Sequence, residues 1–267
     1  MLLFNTKCPN CETYYDSTLN ECPHCHKSNQ FQAERDISTN IVYFHPLAQA
    51  GLFLGGFAYA GMIICELIPL LFLGGVENGD LRKALIIFFA YLLMVGGLLS
   101  IALVTRSKPF LKSFTKPSAY AYGTLFAGLA ILASLIISMI VSLFKVEDIN
   151  NNQVVANNMV ANYPILAFFI VCVFGPFAEE MTYRVGLQSF LRRINKYLAI
   201  IATTIVFAFI HFDFDASNMT AELIALPSYL TCGLILTLGY EFFGPACSIT
   251  AHVLYNLTSF LMILMRN

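Results

Sequence analysis

Apolar runs of about twenty residues, separated by short clusters of charge, dominate this sequence and leave little choice of fold. A backbone in hydrocarbon must satisfy its own hydrogen bonds, so such runs are read as membrane-spanning helices of about 20 residues each. Seven are legible: Leu47 to Leu73, Ala84 to Val104, Tyr120 to Phe144, Tyr163 to Arg193, Tyr197 to Phe212, Ala221 to Phe243 and Pro245 to Met265. An eighth fits within the long first run, and a re-entrant piece fits near Gly175-Pro176. The chain is 58% hydrophobic and only 12% charged, about half the charge of a soluble domain. The expected fold is an all-α polytopic membrane protein of about seven to eight helices around an intramembrane cavity. A net charge of −1 excludes a strongly basic nucleic-acid binder. No signal peptide is expected, and no internal repeat of the kind that builds inverted-repeat transporters is visible.

The first thirty residues differ in kind. Cys8 and Cys11, then Cys22 and Cys25, form the knuckles CPNC and CPHC, ten residues apart. Two such knuckles turn four thiolates toward one tetrahedral ion, which predicts a structural zinc ribbon over residues 1–30. A disulfide pair or a redox CxxC is the bland alternative, and His24 or His26 offers a substitute ligand. The polar stretch 31–45 is expected as a linker, and 46–267 as the membrane domain. The single cysteines Cys65, Cys172, Cys232 and Cys247 lie in apolar runs and read as small buried residues. With the ribbon inside, seven spans place ten cations on the cytoplasmic side, among them Arg106, Lys108, Lys112, Lys116, Arg192, Arg193 and Lys196, against Arg82, Lys83, Lys145 and Arg266 outside. A reduced cytoplasm also suits a cysteine-based zinc site. The expectation is a multi-pass protein of the plasma membrane of a bacterium with a cytoplasmic N-terminus.

Within the fourth run Glu179, Glu180 and Arg184 interrupt the apolar sequence, and His211 closes the fifth. A charged group at the bilayer centre costs roughly 2.5 to 3.5 kcal/mol on insertion scales, so such groups face a protein-lined cavity and pair with one another. Glu180 and Arg184 at i,i+4 share a helix face and predict a salt bridge. Glu179 points about 100° away and is left for another task. Glu179 and His211 each stand about 21 Å above the hairpin tip near Arg192. His252 and Asn256, again i,i+4, project from the last span about 11 Å above Gly244-Pro245, so a hairpin protruding about 10 Å brings all the groups level. Such a set suits hydrolysis by an activated water: the carboxylate and an imidazole share a proton, and a histidine with an asparagine stabilises the oxyanion. Glu179, His211 and His252 are also a possible three-ligand set for a catalytic zinc. There is no HExxH and no GxSxG to support a zinc or serine protease of those types. Glu66, three residues before Pro69, reads as an interfacial or cavity-facing carboxylate.

EExxxR at Glu179 to Arg184, FxxxH at Phe207 to His211 and HxxxN at His252 to Asn256 resemble, in order and spacing, the signature of the CAAX protease and bacteriocin-processing family of intramembrane endopeptidases. The resemblance covers about Tyr163 to the C-terminus. It implies a helical bundle with a conical cavity opening to the cytoplasm, Glu179 and His211 as the water-activating pair, Glu180, Arg184 and Phe207 in support, and His252 with Asn256 on the oxyanion side. It further implies a membrane-associated protein or peptide substrate, and favours a glutamate mechanism with no cofactor at the catalytic site. The ribbon lies outside the shared core and offers a surface for docking a partner. The C-terminal Leu264-Met265-Arg266-Asn267 is not itself a prenylation box. The alternatives are a non-catalytic scaffold or bacteriocin immunity factor, and a proton-coupled transporter using a Glu and His relay.

Overall fold

From Gly79 onward, every described helix starts at a proline or behind an asparagine. Asn78, Asn150, Asn195 and Asn218 accept backbone N–H groups of the first turn, while Pro117, Pro164 and Pro245 occupy the first helical position, where no N–H is needed. The computed structural model describes residues 5–16, 19, 21–28, 44, 46–56, 60–143 and 150–266. Two short strands, β1 (Asn5–Lys7) and β2 (Tyr14–Asp16), pair antiparallel with Thr6 opposite Tyr15. Among the described residues nine helices follow: α1 (Pro46–Gly56), α2 (Ala60–Leu70), α3 (Gly79–Ser113), α4 (Pro117–Ser142), α5 (Asn151–Asn162), α6 (Pro164–Arg192), α7 (Lys196–Phe209), α8 (Met219–Phe243) and α9 (Pro245–Leu264).

Among the described residues five helices are long and apolar enough to cross a membrane: α3 up to Thr105, α4, α6, α8 and α9. Leu125, Leu129, Leu132, Ile136 and Met139 of α4 project outward, as a lipid-facing side requires. The opposite face of α4 is small: Ala119, Gly123, Ala127 and Ala130 are buried. A Cβ on Gly123 would lie 2.9 Å from the Cys247 carbonyl oxygen of α9, so the two backbones meet where side chains are absent.

The first apolar run is described as the 11-residue helices α1 and α2, with residues 57–59 outside the described set. Glycine lets α1 lean on α6, since a Cβ on Gly186 would lie 2.8 Å from the Phe53 nitrogen. The asparagine-rich segment ending at Asn162, whose polar composition reads as a solvated loop between the third and fourth apolar runs, is instead helix α5, started by the Asn150 cap and seated through buried Val160. The linker 31–45 falls, apart from Phe44, outside the described residues. Glu66 is half-buried on α2.

α7, α4 and α9 run from the hairpin end of the bundle to the opposite end, and α3, α6 and α8 run back. The hairpin end is tied by Glu241, wholly buried, which accepts from Arg192 Nε at 2.8 Å and lies 3.8 Å from Lys196 Nζ. Arg193 donates to Gln49 Oε1 at 2.9 Å and to the Phe44 carbonyl. These basic residues are therefore folded against the bundle, where their charges meet partners.

Candidate active site

Helix α6 carries the first motif and is wound unusually. Two stretches, Phe168–Phe174 and Glu180–Gln188, are π-helical and flank a short α segment at Gly175–Glu179; such wide turns are rare and recur at functional sites. Gly175 N–H reaches back five residues to the Ile170 carbonyl, and a Cβ there would sit 2.8 Å from that oxygen. The next residue, Pro176, has no N–H to offer Val171. That carbonyl is met from another helix, by Asn256 Nδ2 at 2.9 Å. The Gly-Pro pair thus keeps α6 continuous, rather than making a re-entrant break, and the asparagine of the third motif closes the gap.

The structure brings the sequence-nominated groups together. Glu179 Oε2 is buried and receives no hydrogen bond from the described residues. It lies 3.8 Å from His211 Nε2 and 3.8 Å from His252 Nε2. Both distances exceed a direct hydrogen bond and suit a small molecule held between the groups. Each imidazole is oriented from behind. His211 Nδ1 is 2.9 Å from the Phe207 carbonyl oxygen, which only accepts, so Nδ1 carries a proton and donates it there, turning Nε2 toward Glu179. His252 Nδ1 is 2.9 Å from Glu180 Oε1 and donates to it.

Glu180 and Arg184 are both wholly buried and joined at 2.8 Å, the bridge expected from their spacing. Arg184 also donates to the Gly233 carbonyl at 3.1 Å and lies 4.3 Å over the Phe207 ring. Phe207 is the hub of the cluster, with ring centroids 4.9 Å from His211 and 5.8 Å from His252. A Cβ on Gly233 would stand 2.9 Å from the Phe207 ring, so only glycine lets α8 approach this closely.

These groups border a cavity of about 490 Å³ whose lining includes Glu179, His211, His252 and Asn256. A second cavity of about 200 Å³ also reaches Glu179 and His211 and is bounded by Gly56, Tyr91 and Thr182, so the pair stands between two chambers. Sequence reasoning missed Tyr229. Its ring stacks on His211 at 4.8 Å, and its hydroxyl accepts from Asn150 Nδ2 at 2.9 Å and Asn152 Nδ2 at 3.0 Å. The run of asparagines that opens α5 was the available signal. Asn151 completes the clasp through Asp213 Oδ2 at 2.6 Å and Glu222 Oε1 at 2.8 Å.

At the N-terminus the four cysteines are free, and their Sγ atoms all lie within 4.8 Å of one another. Cys8 to Cys25 is 3.6 Å and Cys11 to Cys22 is 3.5 Å, close to the roughly 3.8 Å edge of a tetrahedron with Zn–S bonds of about 2.3 Å. The knuckles repeat one geometry: the Cys8 and Cys22 carbonyls accept from Glu12 and His26 N–H, both at positive φ. The Thr13 hydroxyl and amide hold the Cys11 thiol down to about 5, and burial pushes Cys22 up to about 11. His26 pairs with Glu21 at 3.1 Å instead of joining the thiols.

No curated protein and no solved structure matches the chain. Residues 161–258, from the end of α5 through all three motifs, match the family model of Rce1-like type II CAAX prenyl endopeptidases.

Proposed function

We propose that this protein is an intramembrane endopeptidase that hydrolyses a peptide bond with a water activated by Glu179 and His211. The observation that carries the reading is the Glu179 Oε2 atom, buried without a protein hydrogen bond and 3.8 Å from two imidazole Nε2 atoms. The family match supports proteolysis. A water between the three groups gives one proton to Glu179, with His211 Nε2 accepting its other hydrogen, and its oxygen bonds to the carbonyl carbon. The charge that develops on the carbonyl oxygen is met by Nε2–H of His252 in its imidazolium form, held by Glu180. The second hydrogen of Asn256 Nδ2 adds to it, since that nitrogen carries two and Val171 takes one. The C–N bond breaks as the proton on Glu179 passes to the leaving nitrogen.

One observation favours a metal-assisted version: both histidines dock Nδ1 on an oxygen, the arrangement that also orients metal ligands. Glu179, His211 and His252 would then hold the ion, which would polarise the water. The deciding experiment follows cleavage of a mixed peptide pool by purified protein in liposomes, for wild type, Glu179→Gln and His211→Ala, with and without chelator. Loss of cleavage in both variants is expected, together with persistence under a chelator that strips the ribbon. Turnover unchanged in Glu179→Gln would remove the hydrolase reading in favour of a scaffold. Loss under chelator restored by zinc would move the mechanism to the metal.

A further inference from the structure

Behind the catalytic groups, α6, α7 and α8 meet in three levels, about one helical turn apart, that descend toward the hairpin. Arg184, Phe207 and Gly233 make the first. The guanidinium lies 4.3 Å over the Phe207 ring and donates to the Gly233 carbonyl, and a Cβ on Gly233 would stand 3.4 Å from the Thr204 carbonyl oxygen of α7. Four residues further along α6 and α8, and four back along α7, stand Gln188, Thr237 and Thr203, all wholly buried. Arg192 and Glu241 make the third level. Charged partners hold the first and third levels, and the middle one is left short. The Gln188 amide nitrogen donates to the Thr237 carbonyl at 3.2 Å and to Glu241 Oε2 at 3.3 Å. Both only accept, so Gln188 Oε1 is turned away from them, and it receives no hydrogen bond from the described residues. Thr203 Oγ1, Thr237 Oγ1 and, one turn up, Arg184 Nε are buried without a partner as well. The two threonines break a habit of this chain: Thr105, Thr124, Thr250 and Thr258 each return the hydroxyl to the carbonyl four residues back, a bond open to a helical threonine.

Four unpaired polar atoms in one buried place weigh heavily against the folded state, and their chemistry names what meets them. Arg184 Nε only donates, Gln188 Oε1 only accepts, and the two hydroxyls do either. A cation there would face the guanidinium, and an anion would face the amide oxygen with Glu241 behind it. Water donates twice and accepts twice, which matches the set. We propose that the middle level is a binding site for an ordered internal water that joins Arg184 to Gln188, Thr203 and Thr237. The water fixes from behind the arginine on which Glu180 and, through it, His252 are set. The site rests on burial and hydrogen bonding alone, and its bearing on turnover rests on the endopeptidase reading.

Valine in place of threonine keeps the shape and removes the hydroxyl, so the sign of the stability change tells whether that hydroxyl has a partner. Thr203→Val and Thr237→Val, in the same detergent as wild type, are each expected to lower the midpoint of thermal unfolding by roughly 2–4 °C. The double variant should lose less than the two single losses together, because both bonds end on one water. A midpoint unchanged or raised in either single variant overturns the proposal, as does strict additivity. Should a variant not fold, a crystal structure of the wild-type chain at a resolution that shows ordered water decides directly: density within hydrogen-bond reach of Arg184 Nε and Gln188 Oε1 is expected, and its absence overturns the site. In liposomes each valine variant should lower kcat several-fold at unchanged KM, while Thr203→Ser, which keeps the hydroxyl, stays close to wild type. Stability lost with kcat unchanged would refute the water's hold on the catalytic groups. If wild type cleaves no peptide, the endopeptidase reading fails, and the sign of the midpoint shift still decides the water.

Discussion

Replacing Glu180 by leucine separates what holds the site together from what the site does. Its carboxylate has no exposure and serves two partners, Arg184 at 2.8 Å and His252 at 2.9 Å. Removing one member of a buried ion pair leaves the other charge stranded and costs about 3–5 kcal/mol. At about 1.4 kcal/mol per tenfold, the ratio of folded to unfolded chain should fall by roughly a hundred- to a few-thousand-fold, a large share of a total stability of about 5–15 kcal/mol. Arg184 would keep only the Gly233 carbonyl and the Phe207 face. Adding Arg184→Met removes the stranded charge, and exchanging a whole buried pair for apolar groups of similar volume is often neutral or stabilising. The double variant should therefore regain most of the thermal stability lost by Glu180→Leu in the same detergent. Its peptide turnover should stay low, by roughly 10² to 10³-fold, because His252 Nδ1 has lost the acceptor that aims its Nε2 at the chamber. Recovery of turnover along with stability would refute the reasoning and leave Glu180 as a staple alone.

Three further outcomes are expected. Tyr229→Phe removes an oxygen that accepts two hydrogen bonds at about 1 kcal/mol each, so amide exchange across 150–162 should quicken several-fold with little loss of turnover, while Tyr229→Leu, which also unstacks His211, should lower turnover. Asn256→Ala strands the Val171 carbonyl at a cost of about 1–3 kcal/mol, and adding Pro176→Ala, which returns an N–H, should recover part of the lost thermal stability. Cys22→Ser should lower bound zinc, measured by elemental analysis of the purified chain, from one ion per chain to none, with peptide turnover retained.

The three motifs and the ribbon were legible because their signals are local: an i,i+4 spacing, a paired knuckle, an ion inside an apolar run. Glu180 with Arg184 and the shared level of Glu179 and His211 follow from helix arithmetic alone. Tyr229 escaped because an aromatic residue in an apolar run looks like any lipid-facing or core side chain; its meaning depends on asparagines 79 and 77 residues away that come to lie across it. Helix α5 escaped for the opposite reason, since asparagine favours loops in isolation and becomes helical here through one cap and a docked face.

The wide turns of α6 set the angular phase of everything after them. An ordinary helix advances about 100° per residue, so deleting one residue from Glu180–Gln188 would swing Ser189 and Arg192 by about that angle, away from Tyr240 and Glu241. A deletion from Phe168–Phe174 would turn the two glutamates against the rest of the bundle, pointing Glu179 elsewhere and bringing a different side chain toward the imidazoles. Beyond the side chains that make contacts along this helix, the residue count between Phe168 and Gln188 is itself fixed by the geometry it must deliver.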